Sequence, residues 1–218
     1  MSTSTKIRYL VTMVIFYFSA YIFIQAAITT HKFDFLTPLD TAIPLMTEYI
    51  WIYHSLLPVI TITMIFLVKS RVLFMNTFWA CIIAAIVLNI SYVFLPSFYP
   101  RIPFDINSLS DALLYWTRQI DGANNTFPSG HVTYAWLLYL GASRCQFVTQ
   151  NPPLSRIYLL WAIGISLSTL VLKQHYIVDV FSGITLAYAS FYLAKPLAIK
   201  YEKLLIEEGL INETQASK

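Results

Sequence analysis

Six long apolar runs alternate with polar breaks along this chain, over about 9–27, 49–68, 72–95, 128–147, 157–172 and 177–197. A helix needs about 17 to 25 mostly apolar residues to cross the roughly 30 Å hydrocarbon core of a bilayer. Each run is therefore read as a spanning helix. The pattern predicts an all-α, polytopic membrane protein, a six-transmembrane-helix bundle, with 1–218 forming a single integral-membrane domain. The last three runs carry internal Gly and Ser, which membrane helices use for close packing. One substantial polar loop, about 96–127, separates the third and fourth runs and holds Pro96, Pro100 and Pro103. Asp40 and Pro44 read as structural caps opening the second helix. The charged stretch 200–218 is expected to leave the membrane as a cytoplasmic tail.

Lysine and arginine bias sets the orientation. With six spans, Lys6, Arg8, Lys69, Arg71, Arg144, Arg156, Lys195, Lys200, Lys203 and Lys218 share one side, and Lys32, Arg101, Arg118 and Lys173 share the other. Ten cations against four put both termini in the cytoplasm and the 96–127 loop outside. Lys6 and Arg8 precede the first run as in a signal peptide. Its 19 residues exceed the usual signal core of about 7 to 15, so it is expected to stay as a helix.

Composition narrows the class. Hydrophobic residues make up 57% of the 218 and charged residues 11%, with a mean hydropathy of +0.63. A soluble domain carries about 25% charged residues. The net charge of +3 is spread along the chain and forms no basic stripe, which argues against a nucleic-acid partner. Cys81 and Cys145 lie in apolar runs and read as buried free thiols, with no disulfide framework or CxxC pair.

Two polar segments interrupt the apolar pattern, Phe127-Pro128-Ser129-Gly130-His131 and Lys173-Gln174-His175-Tyr176-Ile177-Val178-Asp179. The orientation above brings both, and Arg101, to the extracytoplasmic face. Ionisable groups near membrane depth are costly and mark functional sites. In the first segment, Pro128 and Ser129 suit a helix start. The free N–H groups of such a terminus attract anions, Gly130 admits a phosphate close to the backbone, and His131 can protonate a leaving oxygen. In the second, His175 and Asp179 are four apart, on one helical face. A carboxylate bonded to one imidazole nitrogen frees the other to attack. The plain structural alternatives are a Ser129-capped helix, an interfacial histidine, a capping Asp179 and a snorkelling Lys173.

The two segments, 44 residues apart from His131 to His175, resemble the second and third signature motifs of the type 2 phosphatidic acid phosphatase superfamily. That superfamily includes vanadium haloperoxidases and many membrane lipid phosphatases. Pro128, Ser129, Gly130 and His131 match its second motif in full. Ser168, His175 and Asp179 match the third, with Thr169 standing where the family has arginine. Arg101, followed by Ile102 and Pro103, is the best match to the first motif, whose lysine position holds Phe94. The six-helix layout and motif spacing extend the resemblance over most of the chain.

The resemblance implies a metal-independent lipid phosphatase with no cofactor. His175 would attack phosphorus and form a phosphohistidine, with Asp179 orienting it. His131 would protonate the leaving alcohol and then activate water. Arg101, Ser129, Gly130 and Lys173 would hold the phosphate oxygens, Lys173 replacing the missing arginine. No clustered carboxylates of the sort that hold magnesium occur in the sequence. The implied substrate is a phosphate monoester or pyrophosphate of a phospholipid, isoprenoid or sphingoid lipid, met in the bilayer. The short loops and the lack of eukaryotic targeting signals point to a multi-pass protein of a bacterial inner membrane, and the cation count to an extracytoplasmic site. A lipid phosphotransferase of the sphingomyelin or inositol phosphorylceramide synthase type is the alternative within the enzymes. An inactive lipid-binding or transport protein is the alternative outside them. Arg118 and Asp121 are expected either to gate the site or to pair with each other, and Asp105 and Asp111 to be solvated in the loop. The sequons at Asn124 and Asn212 are expected to stay unmodified.

Overall fold

The computed structural model describes residues 1–28 and 33–208. Lys32, the Asn212 sequon and Lys218, with the end of the expected tail, lie outside the described residues. Among those described, the helices are α1 (Thr3–Ala27), α2 (Pro38–Ala42), α3 (Ile50–His54), α4 (Leu56–Ile62), α5 (Arg71–Phe94), α6 (Leu109–Ile120), α7 (Gly130–Ala142), α8 (Gln146–Thr149), α9 (Pro152–Val171) and α10 (Ile177–Glu207). No β-strand forms among them; Phe33 with Ser97 and Phe98 with Asn124 make isolated bridges.

Serine side chains start the helices. Ser2, Ser70, Ser108 and Ser129 each accept a bond from a first-turn N–H of the helix that follows, a cap worth about 1 kcal/mol. The core lies where α5, α7 and α10 pack together, with α9 against α7 and α1 against α5. Phe74, Leu88, Leu137, Leu138 and Ile165 are fully enclosed there. Ile15, Phe23, Phe66, Leu160, Phe181 and Leu193 face outward, as lipid-facing side chains do in a membrane protein.

Among the described residues, five segments are long and apolar enough to cross a membrane: Thr3–Ala27, Thr47–Leu67, Arg71–Phe94, Pro152–Val171 and Ile177–Glu207. The fourth expected span differs. It folds as α7, 13 residues long, about 20 Å at a rise of about 1.5 Å per residue, then turns into the short α8. Most of its side chains are buried by neighbouring helices. A helix surrounded by protein is apolar all round without having to match the bilayer in length.

The second span is broken. A 3-10 turn (Thr47–Tyr49), α3, α4 and a π turn (Thr63–Leu67) follow one another. Pro58 lacks the N–H that would bond back to His54, which loosens the ladder near the α3–α4 junction. There Ser55 Oγ donates to the Ile52 carbonyl at 2.6 Å and accepts from Trp161 Nε1 at 2.8 Å. This break leaves Tyr53 and His54 beside the cavity described below. Asp40 belongs to α2, capped reciprocally by Thr37, and lies outside the second span.

Candidate active site

The two histidines meet because α7 and α10 begin in backbone contact. Ser129 N–H donates to the Asp179 carbonyl at 3.1 Å, and Thr133 Oγ1 reaches the Gly183 carbonyl at 3.2 Å. A Cβ on Gly183 would stand 2.9 Å from the Ser129 carbonyl oxygen, so any larger residue would push the helices apart. Gly130 is filled in the same way from α1: a Cβ there would stand 2.8 Å from the Tyr17 hydroxyl.

His175 Nδ1 lies 2.8 Å from the Thr126 carbonyl oxygen and 3.3 Å from Asp179 Oδ2. Both neighbours are acceptors, so Nδ1 carries the proton and Nε2 keeps its lone pair. Asp179 is wholly buried and its Oδ2 also accepts from Tyr176 N–H at 2.9 Å. It thus caps α10 and aligns His175 together, joining two readings that the sequence set against each other. Asp40 Oδ1 takes the next N–H, that of Ile177, at 2.7 Å. His131 stacks on Tyr53, with ring centroids 3.9 Å apart and planes at 23°, and neither ring nitrogen has a partner among the described residues.

His131 and His175 line one cavity of about 340 Å³ with Arg101, Gln174, Asn125 and Asp121. Phe18, Leu57 and Trp116 of α1, α4 and α6 give it an apolar wall. Three residues that line this cavity carry a buried donor with no acceptor among the described residues: Arg101 at Nε, Gln174 at Nε2 and Asn125 at Nδ2. A buried unpaired polar group costs roughly 1–3 kcal/mol, and charged groups more. Native structures hold few such groups. The Gln174 amide is oriented by its Oε1, which accepts from Arg101 Nη1 at 2.5 Å. Arg101 Nη2 donates to the Asp121 carbonyl at 2.9 Å and also to that of Gly122. Burial pulls the Arg101 guanidinium below its ordinary pKa while Asp121 opposes that pull; an arginine stays charged regardless. Asn125 has φ 62, a left-handed conformation asparagine tolerates. Sequence reasoning missed Asn125 and Gln174 as donors, although Gln174 lies within the second polar segment and Asn125 two residues before the first.

Some expected phosphate ligands are elsewhere. Lys173 Nζ donates to the Asp40 carbonyl at 2.6 Å, and Lys173 does not line the cavity. At φ 55 it ends the turn after α9, in which Gln174 and His175 N–H both reach the Thr169 carbonyl, at 3.0 and 3.2 Å. That turn sends the lysine toward α2 and Gln174 toward the cavity. Ser129 is fully buried with Oγ engaged in its cap on Val132 N–H at 3.4 Å. Thr169 is buried, its hydroxyl on the Ser166 carbonyl at 2.8 Å. Phe94 is 74% exposed at the end of α5. Arg118 and Asp121 do not pair. Arg118 donates to the Ile102 and Leu172 carbonyls at 2.8 and 3.0 Å. The Asp121 carboxylate accepts from the Tyr21 and Tyr53 hydroxyls, the latter at 3.3 Å.

The PAP2 superfamily model matches residues 77–201, more than half the chain and all of α7, α9 and both histidines. The chain belongs to the PAP2 superfamily. Membership supports a phosphatase-type or related phosphotransferase activity, and with the apolar helices it makes this PAP2 protein a membrane protein. Over 78 residues the chain is 37% identical to an uncharacterized protein of Methanocaldococcus jannaschii. That stretch is 36% of this chain and 30% of the relative, so the match spans under a third of the relative's length. No solved structure matches. The family match begins within α5. The tyrosines of α1 and α3 that hold Asp121 and flank His131 lie outside it.

Proposed function

We propose that this PAP2 protein hydrolyses a phosphate ester of a membrane lipid through a phosphohistidine on His175. The observation that carries the reading is the set of three buried, acceptor-less donors on Arg101, Gln174 and Asn125, around the cavity that His175 lines. A phosphoryl group bound in that cavity would give these donors acceptors once their side chains turn toward it. Such fixed donors around developing charge are usually the largest catalytic contribution. His175 Nε2 attacks phosphorus while the ester P–O bond breaks, and His131, which takes up a proton from the bound acidic phosphate ester, gives it to the leaving lipid alcohol. His131 then takes a proton from water, whose oxygen attacks phosphorus; the P–N bond breaks and inorganic phosphate leaves. Asp179 and the Thr126 carbonyl hold His175 in the required tautomer throughout. No step calls for a metal. The apolar wall from α1, α4 and α6 suits the lipid part of the substrate. The lysine and arginine bias supports an extracytoplasmic cavity and the short loops support a bacterial plasma membrane, with the whole chain acting as one domain.

The test is phosphate release in detergent or vesicles across phosphatidic acid, phosphatidylglycerol phosphate, undecaprenyl pyrophosphate and sphingoid phosphates, with and without EDTA. Release from one of them that survives EDTA and vanishes in His131→Ala and His175→Ala is expected. Equal release by either variant contradicts the reading.

One observation favours transfer to an alcohol as a second reading. Asp121 lines the cavity, its carboxylate held by two tyrosine hydroxyls and, among the described residues, by no cation. A carboxylate accepts hydroxyl protons, and an acceptor alcohol in place of water would bond there. A transferase releases no inorganic phosphate unless water substitutes, so assays with and without added alcohol separate the two.

A further inference from the structure

The end of the bundle away from the histidines has its own binding groove. It lies between the start of α5, the α7–α8 turn and the middle of α10, and encloses about 980 Å³. Lys69, Arg144 and Lys195 line it, and no acidic residue does. Arg144 is fixed in place. Its guanidinium donates to the Leu140 carbonyl at 2.8 Å and the Tyr192 hydroxyl at 3.2 Å, and lies 4.8 Å from the Phe191 ring centre. Lys69 and Lys195 are exposed and unpaired among the described residues.

Two further features point the same way. The first turn of the 24-residue α5 opens on the groove at Ser70 and Val72, presenting the free N–H groups and positive dipole end that favour an anion. Asn76, one turn on, also lines it; this residue is 6% exposed and its Oδ1 is buried with no partner. Its Nδ2, the accessible end of the amide, has no hydrogen bond among the described residues either, so Asn76 can donate to a ligand. The remaining wall is apolar, chiefly Phe66, Leu73, Phe191 and Ile199. Three cations, a helix terminus and an unspent amide match a phosphodiester. Aromatic and aliphatic walls beside them match acyl chains rather than water.

We propose that this groove binds an anionic phospholipid of the leaflet opposite the histidines, headgroup on Lys69, Lys195 and the α5 terminus. Basic pockets between membrane helices hold anionic headgroups in this manner. The inference needs only that the chain spans a bilayer and does not depend on the phosphatase reading.

The experiment is lipid retention by the full chain, released from mixed phosphatidylglycerol and phosphatidylcholine nanodiscs and read by native mass spectrometry. Wild type is expected to retain phosphatidylglycerol selectively, and Lys69→Ser with Lys195→Ser to lose about fivefold in retention per lysine. The double variant should keep wild-type phosphate release and thermal midpoint, which shows that it is folded. Arg101→Ala should retain the lipid as wild type does; loss there would assign the lipid to the histidine cavity and overturn the proposal. Equal retention of the two lipids by wild type, an unchanged double variant, or displacement by millimolar inorganic phosphate would each overturn it too.

Discussion

The histidine side and the cation side of the cavity were built by different rules. His131 and His175 stand in or beside the first turns of α7 and α10, and one backbone bond and one from the Thr133 hydroxyl lock those turns together. Their partners are near in sequence or fixed by a helix crossing. The cations sit on loops, and their places depend on distant backbone. Arg101 reaches the cavity by bonding to carbonyls of 121, 122 and 173, whereas Lys173, two residues from His175, points away to α2. Proximity in sequence brought Asp179 to His175, whereas it put Lys173 at a cavity that the lysine does not line.

Breaking the histidine side should cost most. His175→Ala is expected to lower phosphate release on the order of 10³-fold or more, with membrane insertion unchanged by protease protection. Arg101→Ala comes next, at roughly 10²–10³-fold in kcat, because among the described residues it removes the one arginine or lysine lining the cavity and frees Gln174. Asn125→Ala and Gln174→Ala should each cost about tenfold, the scale of one hydrogen bond to a charged group, read as kcat/KM. A normal Gln174→Ala enzyme would show that the orphan amide is structural. Smallest in activity is Lys173→Met, which sharpens the contrast most. It should leave KM for the lipid unchanged while destabilising the fold by about 1–3 kcal/mol, read as an earlier thermal midpoint. A raised KM with unchanged stability would restore Lys173 as a phosphate ligand.

The parts of this molecule that sequence made legible are those with local causes. Hydropathy located five spanning segments, and the i,i+4 spacing placed Asp179 against His175. The Ser129 cap was readable from residue type. The hidden parts are long-range. The Thr126 carbonyl, His175's shorter contact, lies 49 positions away, and no periodicity announces it. Tyr21 and Tyr53 reach Asp121 from separate helices, so an expected pairing with Arg118 gave way to two hydroxyls. The length of α7 was misjudged because an interior helix and a lipid-facing one are equally apolar. The direction of Lys173 turned on one left-handed backbone angle, which lysine's identity does not reveal.

The most direct test is covalent trapping. The purified full chain is mixed with a ³²P-labelled lipid phosphate that it turns over, quenched in alkali within one turnover, and digested. Label stable to alkali, labile to acid and confined to the peptide carrying His175 is the expected result, rising in His131→Ala variants that retain slow attack but cannot activate water. Steady phosphate release with no such label, or the same label in His175→Ala, would contradict a phosphohistidine at His175.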